Sequence, residues 1–172
     1  MRYYILFHPE KCCACGACAV ACMDQNDVDV QHGEKGYRAV YEYEDAGGAM
    51  GECTYLSISC RHCADAPCVA GCPTGCLSKE PSTGMTVAER SRCIGCHSCA
   101  MACPFGIPRF SAGDGKVLKC DGCFVRLACG LQPACVRACA FGALTCVDEA
   151  EFRRLEENHA ISAMLRAVNQ TG

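Results

Sequence analysis

Cys93-Ile94-Gly95-Cys96-His97-Ser98-Cys99-Ala100-Met101-Ala102-Cys103-Pro104 decides how the rest of the chain is read. Three thiols at three-residue spacing can wrap one small inorganic cluster from a single tight loop. The fourth, four residues further on and followed by proline, points elsewhere. This is the spacing that holds cubane iron–sulfur clusters, with the fourth thiol ligating the other cluster of a pair. One such run implies a second nearby. The chain carries three further versions, which with the first make four groups in chain order. Group one is Cys12, Cys15, Cys18 and Cys22; group two is Cys60, Cys63, Cys68 and Cys72, followed by Pro73; group three is the run above; group four is Cys120, Cys123, Cys135 and Cys139.

Sixteen cysteines fall into these groups, and four cubanes need sixteen thiolates. Thiolates select iron–sulfur clusters or zinc. Zinc sites prefer two separated Cys pairs, often with His, and do not use three thiols in one loop with a fourth leading into proline. Disulfides are a poorer account of the total of 21 cysteines, which is odd and tightly grouped. The crossing rule predicts four ligand sets. The central pair is Cys60, Cys63, Cys68 with Cys103, and Cys93, Cys96, Cys99 with Cys72. The outer pair is Cys12, Cys15, Cys18 with Cys139, and Cys120, Cys123, Cys135 with Cys22. Four 4Fe–4S clusters are therefore the expected cofactors.

The spacing repeat sets the architecture. Groups two and three are sequence neighbours, and groups one and four flank them. The expected fold class is α+β: two ferredoxin-like modules of short helices and small hairpins, the second inserted in the first. The outer module comprises 1–51 and 113–149, the inserted one 52–112, and 150–172 is a C-terminal helical tail rich in Glu, Arg, Leu and Ala. Strands are expected at 3–7, 37–43, 55–59, 83–87 and 116–118, with a flexible loop at 46–51. Large apolar residues are sparse and Trp is absent, so metal must supply what a small core cannot.

Composition also excludes functions. The formal net charge of −3 and the lack of a basic run argue against nucleic acid. No stretch approaches the roughly 18 apolar residues of a membrane span. The first residues lack the features of a secretory signal, so a cytoplasmic chain is expected, unless a signal-bearing partner exports it folded. No phosphate loop or Ser/His/Asp arrangement is present. Every expected cluster has four protein ligands, leaving no iron open to substrate, so the chain is read as non-catalytic. Cys13, Cys53, Cys76, Cys129 and Cys146 remain outside the groups. They are read as small buried hydrophobes, with Cys13 or Cys129 the alternatives for a spare ligand. His62 and His97 sit within groups, where each could donate a hydrogen bond that raises a cluster's potential. A partly exposed surface imidazole is the expectation for both. Ile94, Phe105, Ile107, Phe110 and Phe141 are read as a dry shell around the clusters.

The four groups in this order resemble the four-cluster electron-transfer subunits of molybdopterin oxidoreductases, and most of all the B subunits of dimethyl sulfoxide reductases. The stretches that carry the likeness are Tyr55-Leu-Ser-Ile-Ser-Cys60-Arg-His-Cys63, Cys68-Val-Ala-Gly-Cys72-Pro-Thr-Gly75, Cys93-Ile-Gly-Cys96, Met101-Ala-Cys103-Pro-Phe-Gly106, Lys119-Cys-Asp-Gly-Cys123 and Pro133-Ala-Cys135. The resemblance covers about residues 2–150. It implies a linear relay through the clusters headed by Cys12, Cys120, Cys60 and Cys93 in turn. One end of that relay meets a large molybdenum or tungsten catalytic subunit, and the other a membrane-anchor subunit or a soluble redox partner. Ala140 and Met23 stand where proline often follows a group's last cysteine. Two other readings compete. One is a polyferredoxin serving hydrogenase, formate or carbon-monoxide dehydrogenase systems. The other is a filament-forming module using the tail's apolar residues Phe152, Leu155, Ile161, Met164, Leu165 and Val168. A tail helix packed on its own domain is preferred to that last use.

Overall fold

The aromatic and β-branched run Tyr3–Phe7 forms strand β1, and its partner comes from the far end of the cysteine region. β8 (Leu144–Asp148) lies antiparallel to it, in register from Tyr3 opposite Asp148 to Phe7 opposite Leu144. The computed structural model describes residues 1–44 and 53–169, with side chains to residue 161 except that of His32. The expected loop at 46–51 lies outside the described residues. The other strands, also antiparallel, pair as β2 (Ala39–Glu44) with β3 (Cys53–Ile58), β4 (Leu77–Lys79) with β5 (Thr86–Ala88), and β6 (Arg109–Phe110) with β7 (Val117–Leu118). Strands β4, β6 and β8 go beyond the sequence expectation, and β2 starts two residues later than expected.

The helices are short because each cysteine group supplies its own punctuation. α1 (Ala17–Gln25) starts at left-handed Gly16. α2 (Pro67–Ala70) has proline in its first turn and stops at Gly71, and α5 (Ala134–Arg137) follows Pro133. α3 (Ser98–Ala102) and α4 (Phe124–Ala128) each follow a left-handed residue. Groups one and three are introduced by the same device, a single 3-10 turn (Pro9–Lys11 and Arg90–Arg92). It ends with the amide of Cys12 or Cys93 on the carbonyl three residues back. Groups two and four instead follow directly on β3 and β7.

Two small cores result, and cysteines lie at the centre of both. One gathers Cys68, Cys76, Leu77, Cys99 and Val117, with Phe110 and Val69 against it. The other gathers Cys18, Cys135 and Leu144, with Ile5, Phe7 and Val40. Fully buried Met85 lies against the loop of group four. The tail is one helix, α6 (Glu149–Asn169), capped by Asp148 Oδ1, which accepts the Glu151 amide at 2.9 Å. Phe152 stacks on Tyr4 with ring centroids 4.0 Å apart, which fastens the helix to β1. Leu155 and Ile161 are exposed, while the side chains of Met164, Leu165 and Val168 lie outside the described residues.

Candidate cluster sites

All four groups open with the same backbone loop. The residue two after the first cysteine is left-handed in each: Ala14 (φ 55°), His62 (φ 47°), Gly95 (φ 68°) and Gly122 (φ 72°). This turn aims main-chain amides back at sulfur. The His62 amide donates to Cys60 Sγ at 3.4 Å and the Gly122 amide to Cys120 Sγ at 3.3 Å. Such bonds favour thiolate over thiol. Three groups also close alike. Gly75, Gly106 and Gly142, all left-handed, return their amides to the carbonyls of Cys72, Cys103 and Cys139 at 3.2–3.3 Å. Ala140 in place of proline leaves that turn intact. Group one departs from it. With Met23 after Cys22, α1 runs on, and Asn26 Nδ2 takes over by donating to the Cys22 carbonyl at 2.7 Å and to Cys22 Sγ at 3.7 Å.

The loops bring thiols of different groups together. Cys12, Cys15, Cys18 and Cys139 line one cavity, over which Phe141 and Phe7 sit. Cys22, Cys120, Cys123 and Cys135 line a second. Cys72, Cys93, Cys96 and Cys99 line a third, with the additional Cys76. Of the remaining four, Cys68 lies in α2 and Cys103 caps α3, which packs on it, and the charges of Cys60 and Cys103 bear on Cys68; Cys63 follows in the same loop as Cys60. Among the described residues no three His, Cys, Asp or Glu side chains converge tightly enough for a single ion. Three of the four thiol sets line cavities.

The comparisons with known proteins agree. Residues 51–149 match the 4Fe–4S dicluster domain family. The chain is 38 % identical over 177 residues to the probable anaerobic dimethyl sulfoxide reductase subunit YnfG of Escherichia coli, covering 97 % of this chain and 80 % of that one. It is 39 % identical over 152 residues to the B subunit of the anaerobic dimethyl sulfoxide reductase of Haemophilus influenzae, covering 83 % and 72 %. It is 40 % identical over 159 residues to the thiosulfate reductase electron transfer subunit PhsB of Salmonella typhi, covering 88 % and 80 %. The chain belongs to this family of iron–sulfur electron-transfer subunits.

The charges around the thiols of this dicluster subunit fit an anionic group. Arg38, only 3 % exposed, donates from its two terminal nitrogens to the Ser57 carbonyl (3.2 Å), Ser57 Oγ (2.9 Å) and Ser59 Oγ (2.6 Å). Its Nε has no partner among the described residues, and its side chain lines the second cavity. Buried Lys119 Nζ donates to the carbonyls of Thr86 and Cys120. Lys79 Nζ donates to the carbonyls of His62 (3.1 Å) and Cys63 (2.8 Å) and to Thr86 Oγ1 (3.2 Å). These bonding partners are all neutral, and a buried cation without a counter-charge is costly. Bound clusters with their thiolates would supply that negative charge. Burial pushes the Cys22 thiol up to about 11, with Cys135 and Cys123 adding and Arg38 opposing. Burial also raises Cys120 and Cys68, against which Lys119 works. In the third site, burial of Cys72 is outweighed by hydrogen bonds from the Leu77 backbone and from Thr74, and Cys96 is lowered by the Ser98 hydroxyl and amide.

Several side chains lie otherwise than their sequence context suggests. His97 is exposed and stacks on Phe110 with centroids 3.7 Å apart. His62 is no surface imidazole. It is part-buried and bonded at both ring nitrogens, and burial together with Lys119, Lys79 and Arg38 pushes its pKa well below the ordinary histidine value. Phe110 packs on a cysteine core as expected. Ile94, Phe105 and Phe141 are instead exposed at cavity rims, and Ile107 is half-buried. Of the extra cysteines, Cys76 is buried beside Cys93, and burial raises both Cys76 and Cys146 to about 11. Cys13 and Cys129 are exposed, and half-buried Cys53 donates to Glu42 Oε1 at 3.1 Å. Arg38, Lys79, Lys119 and Asn26 carry no sequence signal beyond being polar residues close to apolar or cysteine runs.

Gly122 is required twice over. Its φ is left-handed, and a Cβ there would fall 2.4 Å from Met85 Sδ and 2.6 Å from Met85 Cγ. Gly122→Ala is expected to destabilise the loaded protein by about 3 kcal/mol, left-handed strain adding to overpacking. Gly142→Ala, where no atom lies within 4 Å, should cost about 1–2 kcal/mol from strain alone. Thermal unfolding of the two variants side by side checks the difference.

Proposed function

We propose that the chain relays electrons through four 4Fe–4S clusters between a large molybdopterin catalytic subunit and a second redox partner, either a membrane anchor or a soluble protein. The ligands proposed are Cys12, Cys15, Cys18 and Cys139; Cys22, Cys120, Cys123 and Cys135; Cys60, Cys63, Cys68 and Cys103; and Cys72, Cys93, Cys96 and Cys99. When bound, each cluster stores and passes one electron at a time. The chain's own residues set the spacing, hold the thiols as thiolates and exclude water.

The observation that carries this reading is how the four thiol sets are strung together. α1 and α5 pack on each other; α1 carries Cys18 and Cys22, and α5 carries Cys135 with Cys139 just past its end, for the first two sets. α2 and α3 also pack on each other, carrying Cys68 and Cys99 with Cys72 and Cys103 just past their ends, for the last two. Between the pairs, Cys60 and Cys22 both bear on Cys120. The reading that follows is a line headed in turn by Cys12, Cys120, Cys60 and Cys93. Exposed Phe141 lines the cavity of the Cys12 set and exposed Ile94 that of the Cys93 set, the first and last of that line. They suit docking of partners there. The two-module arrangement, 52–112 inserted between 1–51 and 113–149, is supported by the β1–β8 pairing, which joins the two outer segments. Among the described residues no helix is long and apolar enough to cross a membrane.

Untagged native purification tests the proposal. Iron, acid-labile sulfide, zinc, molybdenum and tungsten are measured, with EPR during stepwise reduction. About sixteen iron atoms per chain are expected, co-eluting with a large pterin-containing chain. Sixteen iron on a lone monomer would transfer the relay to a polyferredoxin role. About four zinc and negligible iron would overturn it.

A further inference from the structure

One side chain spans the seam between two of the proposed ligand sets. His62 stands between Cys60 and Cys63, yet its imidazole leaves that set. Nδ1 accepts the Thr86 amide at 2.9 Å, and Nε2 lies 3.5 Å from Cys120 Sγ, in the neighbouring set. A backbone amide can only donate, so Nδ1 carries no proton and the ring hydrogen sits on Nε2, facing sulfur. The ring is held from every side. Lys79 binds the carbonyls of His62 and Cys63 behind it. Lys119 ties the carbonyl of Thr86 to that of Cys120. Met85 closes over Gly122, next but one to Cys120. The left-handed φ of 47° at His62, uncommon for a residue other than Gly, is the local cost of this placement.

We propose that His62 is the junction of the relay: a positioning residue that fixes the Cys60 cluster against the Cys120 cluster and, through Nε2–H···Sγ, raises the reduction potential of the latter. The inference rests on the ligand sets proposed above. A hydrogen bond to a ligand sulfur draws charge from it and favours the more negative, reduced cluster. When an electron crosses the seam, one cluster loses it and the other gains it. No proton moves, because Nδ1 stays on the Thr86 amide and Nε2–H stays on sulfur. The same bond therefore serves both oxidation states, strengthening as the sulfur gains charge.

EPR-monitored redox titration of the iron-loaded protein tests this with His62→Asn and His62→Gln. Asn tolerates the left-handed backbone but is too short to span both contacts, whereas Gln retains an N–H at greater reach. The Cys120 signal is identified by its loss in Cys123→Ser. In His62→Asn, at wild-type iron content, that one midpoint potential is expected to fall while the two clusters beyond the seam hold theirs. His62→Gln is expected to recover part of the shift. Unchanged potentials in His62→Asn would overturn the proposal while leaving the four-cluster reading intact. Loss of the same cluster in both variants would overturn it too, reducing His62 to a support for the fold. Absence of cubane iron from the wild-type protein would instead remove the cluster reading itself.

Discussion

Stripping iron from this chain with a chelator under reducing conditions is expected to abolish its cooperative unfolding transition. Of the eight residues at the centres of the two cores, five are cysteines: Cys18, Cys68, Cys76, Cys99 and Cys135. Four of these are proposed ligands. Apart from α6, the elements are two-stranded ribbons and helices of one to three turns, which are marginal in water without something to pack on. A domain's net stability is about 5–15 kcal/mol, and structural metal sites contribute free energy of the same size. Without clusters the buried sites hold neutral thiols, and Arg38 and Lys119 remain on neutral acceptors with no counter-charge. Near-UV dichroism and calorimetry before and after chelation measure this. An apo-protein that unfolds in one sharp transition near the loaded protein's midpoint would show that the fold stands without metal.

Cys139→Ser is expected to remove a cluster that lies mainly on the other end of the chain. Cys139 shares a cavity with Cys12, Cys15 and Cys18, whereas its sequence neighbours Cys120, Cys123 and Cys135 share theirs with Cys22. The variant should lose about four of about sixteen irons, along with the signal that Cys15→Ser also removes, and should retain the signal that Cys123→Ser removes. The opposite pattern would mean that each group holds its own cluster, and the crossed ligand sets would be wrong. Stability should fall most at the β1–β8 ribbon, because Cys139 and Leu144 close over the same cavity as Phe7.

Thiol spacing is what made this protein legible. Groups one to four could be read directly because cluster ligation demands fixed intervals, and those intervals survive in an otherwise ordinary composition. The tail was legible for a different reason, since Glu149–Asn169 switches to strong helix formers. Strands β4, β6 and β8 were not. They are two to five residues long and set by pairing rather than by propensity, so no periodicity marks them. The side chains that answer the thiols were less legible still. Arg38 reads as one cation in a strand-like run, and only the fold shows it buried among Ser57, Ser59 and the second thiol set. His62 and His97 each sit next to a cysteine inside a group, yet one is locked between two sites and the other stacks outside on Phe110. That difference depends on Thr86 and Cys120 arriving from elsewhere in the chain. Rim positions misled for a related reason: Ile94, Phe105 and Phe141 are apolar beside thiols but face outward.

The pairing of β1 with β8 also bears on how the molecule is made. On the proposed ligand sets, the central two clusters have every sulfur available once Cys103 has left the ribosome. The first set must wait for Cys139, which at ordinary rates of synthesis follows Cys18 by on the order of ten seconds. During that interval Cys12, Cys15 and Cys18 form a three-thiol loop with no fourth partner, and β1 is an unpaired edge. The nascent chain is thus matured from its middle outward. The amino-terminal end, synthesised first, is among the last parts to be finished, and air or a scavenging metal ion would find it open for longest.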